Sequence, residues 1–311
     1  MRRGAWLAAL ALVALTRATA AAQQTHVLIV TGLGGEPQYS SAFRAAGTQV
    51  YDAAKTKWGV APANLVFLGE DPTADPARIS GQSTKEQVEK AFLSLAARVK
   101  PGDIIFVFLV GHGSGEGDSA KVNLPGPDPS ARDYATWIAG FTRQTVVFVN
   151  ASSASGDFIK VLAGRGRVIV TATRTAFERN ESVFATQFAK GIATGEADAD
   201  KDGAVSVLEA FDYARREVQK AYDADKKLLT EHATLSDTVL ARTVAFGGVA
   251  ASSDPKIVAL VAGRRALQDT IAALRDKKAQ MDSTAYEKEL ERLLIAIAEK
   301  NEQIRAAGGH E

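Results

Sequence analysis

Two apolar runs of the sequence end in residues that could carry out acyl-transfer chemistry. His112 lies between two glycines directly after the run at 103–110, and the run at 146–149 is followed at 150–156 by small residues that include three serines. A histidine can act as a general base toward a serine hydroxyl, and glycine lets backbone N–H groups come close to an oxyanion. If the two runs are neighbouring parallel strands, base and nucleophile meet at one sheet edge. A turn histidine without a role is the alternative.

A third motif, at 198–209, has the residue spacing of a twelve-residue calcium-binding loop. The positions that would supply oxygen ligands in such a loop are Asp198, Asp200, Asp202, Ala204 through its carbonyl, Ser206 and Glu209. No second copy is visible, and the helical pattern before the loop ends early, near 191–194. We therefore expect a single structural Ca²⁺ site. An Asp-rich turn that caps a helix without an ion is the alternative.

These motifs need a scaffold that brings the ends of strands together, and the hydrophobic pattern predicts one. Strand patterns, each followed by a helical pattern, occur at 26–35 with its glycine turn, 64–71, 103–113, 146–150 and 167–173. Such alternation is typical of a mostly parallel sheet with helices on both faces. Ligands of such sheets bind at the carboxyl ends of the strands. The sequence thus predicts an α/β fold with its site beside the Gly-His-Gly and serine-rich segments.

The order of these motifs resembles that of the caspase-like and legumain-like cysteine peptidases. In that family a Gly-His-Gly segment follows one strand, and the next ends in an acidic residue, Ala, Cys, a variable residue, Ser and Gly. Matching Ser155-Gly156 to the final Ser-Gly implies that Ser153 stands at the nucleophilic cysteine, with His112 and Gly113 at the catalytic histidine and oxyanion-hole glycine. The sequence at 167–192 also resembles bacterial legumain-type proteins. The resemblance covers roughly residues 25–235 and implies a caspase-like (caspase/haemoglobinase) fold.

The main departure from the family is that the chain contains no cysteine. A thiol ionises near pKa ~8.5, whereas a serine hydroxyl is far less acidic and needs a positioned base. Position 151, acidic in many relatives, is alanine. Two interpretations follow: a pseudo-peptidase that binds polypeptide or acts as a scaffold, or an endopeptidase or amidase that uses a Ser153/His112 dyad.

Two further features of this sheet edge are weaker indications. Arg174, after the fifth strand, could line a substrate pocket and attract an acidic side chain, with a surface salt bridge as an equal alternative. The glycines of 32–35 do not fit a dinucleotide-binding pattern, because Pro37 occupies its last position and no phosphate-binding lysine follows. We expect a tight turn there and no nucleotide.

Beyond residue 254 the sequence changes to a charged helical pattern. Leu260, Leu267, Leu274 and Met281 recur every seven residues, and a second apolar face follows at 290–304. This predicts a C-terminal α-helical hairpin or coiled coil over 255–306, with possible self-association through it. A helix pair packed on its own domain is one alternative. A structural envelope protein assembled through this tail, with no role for the cleft, is another.

Residues 1–22 have the pattern of a secretory signal peptide: two arginines, a short apolar run and small residues suited to cleavage. We therefore expect export to the periplasm or the extracellular space and a caspase/legumain-like domain over 23–250, with an uncleaved anchor as the alternative. After signal cleavage no apolar run is long enough to span a membrane. The net charge of +1, without a basic block, gives no electrostatic basis for nucleic-acid binding.

Overall fold

Buried apolar runs form a central sheet in the computed structural model, which describes residues 23–180, 182–199, 204–246 and 255–307. The predicted signal peptide lies outside them. The strands are, in chain order, β1 (Thr25–Thr31), β2 (Leu65–Gly69), β3 (Gly81–Gln82), β4 (Ile104–Val110), β5 (Gly113–Ser114), β6 (Lys121–Val122), β7 (Thr145–Asn150), β8 (Arg167–Thr171), β9 (Val205–Ser206), β10 (Thr234–Leu235) and β11 (Ala245–Phe246). Seven of them form one sheet in the order β10-β8-β7-β4-β1-β2-β3. All its neighbours are parallel except β10, which runs antiparallel to β8.

The central strand β4 shows why its sequence is continuously apolar. Phe106, Phe108 and Val110 pack into a core on one face of the sheet, and the alternate residues pack into a second core on the other face. Because both faces are covered, neither set of alternating side chains can be polar. The predicted α/β fold with a mostly parallel sheet is confirmed.

Helices cover both faces of the sheet. They are α1 (Pro37–Thr56), α2 (Lys85–Arg98), α3 (Ala131–Ile138), α4 (Phe158–Leu162), α5 (Phe184–Thr194), α6 (Val207–Ala224), α7 (Thr238–Thr243), α8 (Pro255–Asp276) and α9 (Ser283–Ala306). Helices α1, α5, α6 and α7 contribute to the first core, whereas α2, α3 and α4 contribute to the second. None of the described helices is both long and apolar enough to cross a membrane.

One helix start differs from the sequence expectation. The pattern at 83–86 predicts Ser83 as the N-cap of α2, but the cap is Thr84, whose Oγ1 accepts from the N–H of Gln87 over 3.3 Å. The buried hydroxyl of Ser83 instead donates to the carbonyl of Thr31 over 2.7 Å. A tertiary contact with the end of β1 therefore replaces the local capping role.

The last two helices pack on each other and on α7. Ile271 and Leu274 of α8 form a small cluster with Tyr286, Leu293 and Ile297 of α9. Arg275 of α8 pairs with Asp237, the N-cap of α7, and Val239 contacts the same cluster. These contacts lie within one chain, and self-association through 255–306 stays a prediction.

Candidate active site

Ser153 and Gly113 are in hydrogen-bond contact beyond the carboxyl ends of β7 and β4. The two strands are adjacent and parallel, with Leu109 beside Asn150 in the register, so the segments that follow them meet at one edge. The N–H of Gly113 donates to Oγ of Ser153 over 3.2 Å. Ser153 is only 2% exposed. The structure thus joins two of the three predicted catalytic positions and leaves the hydroxyl almost no contact with solvent.

The close approach of the two segments requires glycine at position 113. A Cβ there would lie 2.1 Å from the carbonyl oxygen of Ser153 and 3.0 Å from that of Lys121. Gly113 starts β5, which pairs with β6 in a short antiparallel hairpin at the mouth of the site. Only a residue without a side chain lets the N–H reach Ser153 at this distance.

His112 is held beside this pair by contacts of its own. Its Nε2 lies 3.2 Å from the carbonyl oxygen of Gly34, and its ring packs edge-on against Tyr39 and Phe43, each with centroids 5.1 Å away. A carbonyl acceptor requires a proton on Nε2, so in the neutral ring Nδ1 is the acceptor nitrogen. Within the described residues no hydrogen bond joins His112 to Ser153. The predicted dyad shares one sheet edge without the contact that proton transfer needs.

The serine-rich turn after β7 is fixed by its own small side chains. Asn150 Oδ1 accepts from the N–H and the hydroxyl of Ser152 over 3.1 and 2.6 Å, and its buried Nδ2 has no partner in the described structure. Ala154 has a left-handed φ of 51°, and its N–H donates to the carbonyl of Glu178 over 2.8 Å. Such a backbone costs energy for alanine and persists only when neighbours enforce it. The turn that carries Ser153 is therefore rigid.

The end of this turn packs against the segment after β8. Ser155 Oγ lies 3.3 Å from Thr173 Oγ1, and the N–H of Gly156 donates to the same hydroxyl over 3.0 Å. A Cβ on Gly156 would lie 2.1 Å from the carbonyl carbon of Arg174. The Ser-Gly pair thus closes the turn onto the next strand end.

Arg174 begins an exposed segment at 174–180, which we call the rim loop. Its N–H donates to Glu178 Oε2 over 3.1 Å, and the same carboxylate accepts from the N–H of His232 and lies 3.1 Å from its Nδ1. The Arg174 side chain is exposed and forms no ion pair with any described residue. The rim loop is therefore tied to the segment before β10, with Arg174 at the edge of the site.

Glu231, next to His232 in the chain, places a buried carboxylate against the first turn of α5. It is 4% exposed and accepts from Ser182 Oγ and from the N–H groups of Val183 and Phe184 over 3.0 Å each. Burial raises its pKa, and the three donors oppose that shift. The first donors of α5, which no helical carbonyl could pair, are thereby satisfied.

We expect Glu231→Ala to lower the free energy of unfolding by about 2–3 kcal/mol, because it leaves buried donors without an acceptor. The pKa of this carboxyl is raised on folding, so its contribution is complete below the unfolded value of 4.5 and declines as the pH rises through the folded pKa. Urea unfolding at pH 4.5 and 7 should therefore give a larger difference from wild type at pH 4.5. Glu89→Ala, on the exposed face of α2, should change little; equal losses in both variants would refute this role.

The predicted calcium loop is only partly described. Asp200, Asp202 and Gly203 lie outside the described residues, and no group of three metal-ligating side chains occurs among the described ones. Ser206 caps α6 in a capping box with Glu209: its N–H and hydroxyl donate to Glu209 Oε2 over 2.9 and 2.8 Å. Ala199 N–H donates to the other carboxylate oxygen over 3.0 Å.

The pairing of β9 with β11 fixes the C-terminal end of this loop. Val205 pairs with Phe246 in the antiparallel β9–β11 pair, and Phe246 packs on Trp58 and Phe106 in the first core. Asp198 lies two residues before the part that is not described, and Ala204 directly follows it. The described part is compatible with either interpretation of the motif, because a capping box and a calcium loop share the positions of Ser206 and Glu209.

Sequence reasoning missed the carboxylates that hold this site together. Glu178 and His232 are 54 residues apart and belong to no motif, so no local signal indicates their contact. His26, to which no role is assigned from sequence, pairs with Asp103 over 3.1 Å, and both are buried at the opposite end of β1 and β4. Their spacing of 77 residues likewise gives no signal.

No family model and no curated protein matches the chain. Among solved structures, the crystal structure of protein GSU0716 from Geobacter sulfurreducens is similar with a TM-score of 0.44 and 11% identity, over 68% of this chain and 92% of that one. A similarity of this size leaves the function of the chain to be argued from its own residues.

Proposed function

We propose that this chain is an exported pseudo-peptidase with a caspase/legumain-like domain, whose cleft beyond β4 and β7 binds polypeptide without hydrolysing it. The observation that carries the proposal is the bonding of Ser153. Its hydroxyl is buried and accepts from the N–H of Gly113, and within the described residues no hydrogen bond joins it to His112, whose acceptor nitrogen Nδ1 would have to take the proton. A serine nucleophile must donate its proton to a base.

The N–H of Gly113, which would stabilise an oxyanion, already has an acceptor in this structure. A tetrahedral intermediate needs N–H groups aimed at the oxygen that becomes charged. Here the Gly113 N–H is already taken by Ser153 Oγ over 3.2 Å. A substrate carbonyl would have to displace that bond and reach a nearly unexposed hydroxyl. The arrangement supports recognition of a chain at the sheet edge and does not favour turnover.

The site is rigid where a ligand would lie. The strained φ of Ala154, the paired hydroxyl of Ser152 and the tie from Glu178 fix the turn beyond β7. Arg174 stands exposed at its edge and would bind an acidic or carbonyl group of the ligand. A preorganised cleft of this kind loses little entropy on binding.

We expect a fluorophosphonate probe to leave the wild-type protein unlabelled at Ser153, because no base among the described residues accepts the Ser153 proton. The measurement is intact mass after incubation of wild type, Ser153→Ala and Ser94→Ala, the last removing an exposed serine on α2, away from the cleft. Labelling that disappears only in Ser153→Ala would contradict the proposal and establish the rival Ser153/His112 endopeptidase or amidase.

The 198–209 loop supports the proposal of one structural Ca²⁺ ion, held by the oxygen-bearing positions predicted from its spacing. Support comes from the spacing itself and from the fixed exit of the loop at Ser206, whose capping box places Glu209 on the first turn of α6. Extracellular modules bind calcium with Kd of about 10⁻⁴–10⁻³ M. The ion would stabilise the side of the domain that carries β9 and α6.

We expect 5–10 mM CaCl₂ (~10 Kd) to raise the melting temperature of the wild-type protein and to give heat in calorimetry, since an ion that binds only the folded state adds about 1 kcal/mol or more under these conditions. Asp198→Asn should weaken both effects, whereas MgCl₂ should reproduce neither. Absence of heat and of any thermal shift with CaCl₂ would leave the alternative of a helix-capping turn without an ion.

A further inference from the structure

The rim loop carries an exposed aromatic side chain that the proposed cleft does not use. Phe177 is 75% exposed, and Leu228, in the neighbouring segment, is 89% exposed. Asn180 Nδ2 donates to Thr230 Oγ1 over 2.8 Å, so the two segments adjoin. Large apolar side chains held in solvent next to a cleft are typical of surfaces that bind another molecule.

The rim loop is built to hold Phe177 in place. Ala176 is 1% exposed and anchors the loop, and the N–H of Phe177 donates to Thr175 Oγ1 over 3.3 Å. Arg179 Nε donates to the carbonyl of Ala176 over 3.1 Å. These bonds fix the loop before a ligand arrives, so binding costs little conformational entropy of the loop.

The charges of the rim loop are not balanced. Glu178, its one described carboxylate, is turned inward, has a side chain 17% exposed, and is bonded to Arg174 N–H and to His232. Arg174 and Arg179 are exposed, and no described carboxylate pairs with either guanidinium. Within the described part of the chain, the rim loop therefore exposes two arginines that pair with no carboxylate, in addition to the ring of Phe177. Guanidinium groups bind carboxylates in bidentate geometry.

We propose that the rim loop is a docking surface for acidic polypeptide segments in which an apolar side chain lies next to Asp or Glu. The apolar side chain contacts Phe177, and the carboxylate is bound by Arg174 and Arg179. The partner is identified by charge complementarity together with the exposed ring. The inference rests on the proposed function in one respect, that a polypeptide lies at this edge of the sheet.

The test uses two fluorescein-labelled twelve-residue peptides, one with alternating Asp-Leu pairs in a Gly-Ser background and a twin with Asn for Asp. We expect the acidic peptide to bind the full chain about tenfold more tightly in fluorescence anisotropy, and added NaCl to remove most of this difference. Phe177→Ser should weaken both peptides. The double variant Arg174→Ser/Arg179→Ser should abolish the preference for the acidic peptide.

Matched controls are Leu93→Ser, which removes another exposed apolar side chain, and Arg216→Ser, which removes an exposed arginine on α6. Both should bind like wild type. Equal binding of the two peptides, or binding only to phosphatidylglycerol vesicles, would overturn the proposal.

A cleft block separates this inference from the proposed function. Ser153→Cys, modified with N-ethylmaleimide and verified by mass, fills the cleft and leaves the rim loop intact. Because Arg174 also lies at the edge of the cleft, the variants that report on the rim loop alone are Phe177→Ser and Arg179→Ser. Loss of binding in the blocked protein, with unchanged binding by these two variants, would support the cleft and overturn the rim loop. Acidic preference that persists after the block and disappears in the rim-loop variants would support the rim loop and count against cleft binding.

Discussion

Gly156→Ala is expected to destabilise the domain by about 3 kcal/mol, because a Cβ at this position overlaps neighbouring backbone atoms. It would lie 2.1 Å from the carbonyl carbon of Arg174 and 2.3 Å from the N of Thr175. No rotamer change relieves a clash with backbone, so the turn beyond β7 and the rim loop must separate. The melting temperature should fall by roughly 6–12 °C.

Gly164→Ala is the matched control for this substitution. Its nearest neighbour would be Arg167 Cδ at 3.8 Å, an ordinary contact with a flexible side chain. We expect its free energy of unfolding to stay within about 0.5 kcal/mol of the wild-type value, and its melting temperature to stay close to that of wild type. A similar loss of stability in both variants would show that the close packing of position 156 on the rim loop is not the reason why this position requires glycine.

The architecture is predictable from the sequence because buried positions of strands and helices are apolar, which gives each kind of element a recognisable pattern. The continuous apolar run of β4 indicates a strand covered on both faces, and the alternation of strands with helices fixes a mostly parallel sheet. The start of α2 is not predictable in the same way. Ser83 and Thr84 are both good N-caps, and only the tertiary bond from Ser83 to Thr31 selects between them.

The meeting of the Gly-His-Gly segment with the serine-rich turn follows from strand order, which sequence alone suggests and does not fix. The hydrogen bonds within the site cannot be predicted from any local pattern of the sequence. His112 donates to Gly34, 78 residues earlier, and Ala154 is tied to Glu178 from another strand end. These long-range contacts decide whether Ser153 can react, and they depend on packing that no local pattern encodes.

Ser153→Cys should create a thiol of unusually low pKa. The N–H of Gly113 donates to the atom at this position and would stabilise a thiolate there, and His112 lies on the adjoining segment. The chain has no other cysteine, so every alkylation event reports on this one position. The measurement is the pH dependence of iodoacetamide labelling, followed by intact mass.

Ser155→Cys is the matched control, because Ser155 is equally buried, at 1% against 2%, on the same turn. Its Oγ lies 3.3 Å from the Thr173 hydroxyl and accepts from the N–H of Thr173 over 3.3 Å, so both positions have one backbone N–H donor and the comparison isolates the effect of His112. We expect the labelling midpoint of the Ser153→Cys protein to lie about one pH unit or more below that of the Ser155→Cys protein, a tenfold change in thiolate fraction at neutral pH. Adding His112→Ala to the Ser153→Cys protein should raise its labelling midpoint if the histidine acts electrostatically on this position. Coincident midpoints for the two cysteines would mean that His112 does not prepare position 153 for chemistry, and the resemblance to a peptidase nucleophile would then rest on the sequence pattern alone.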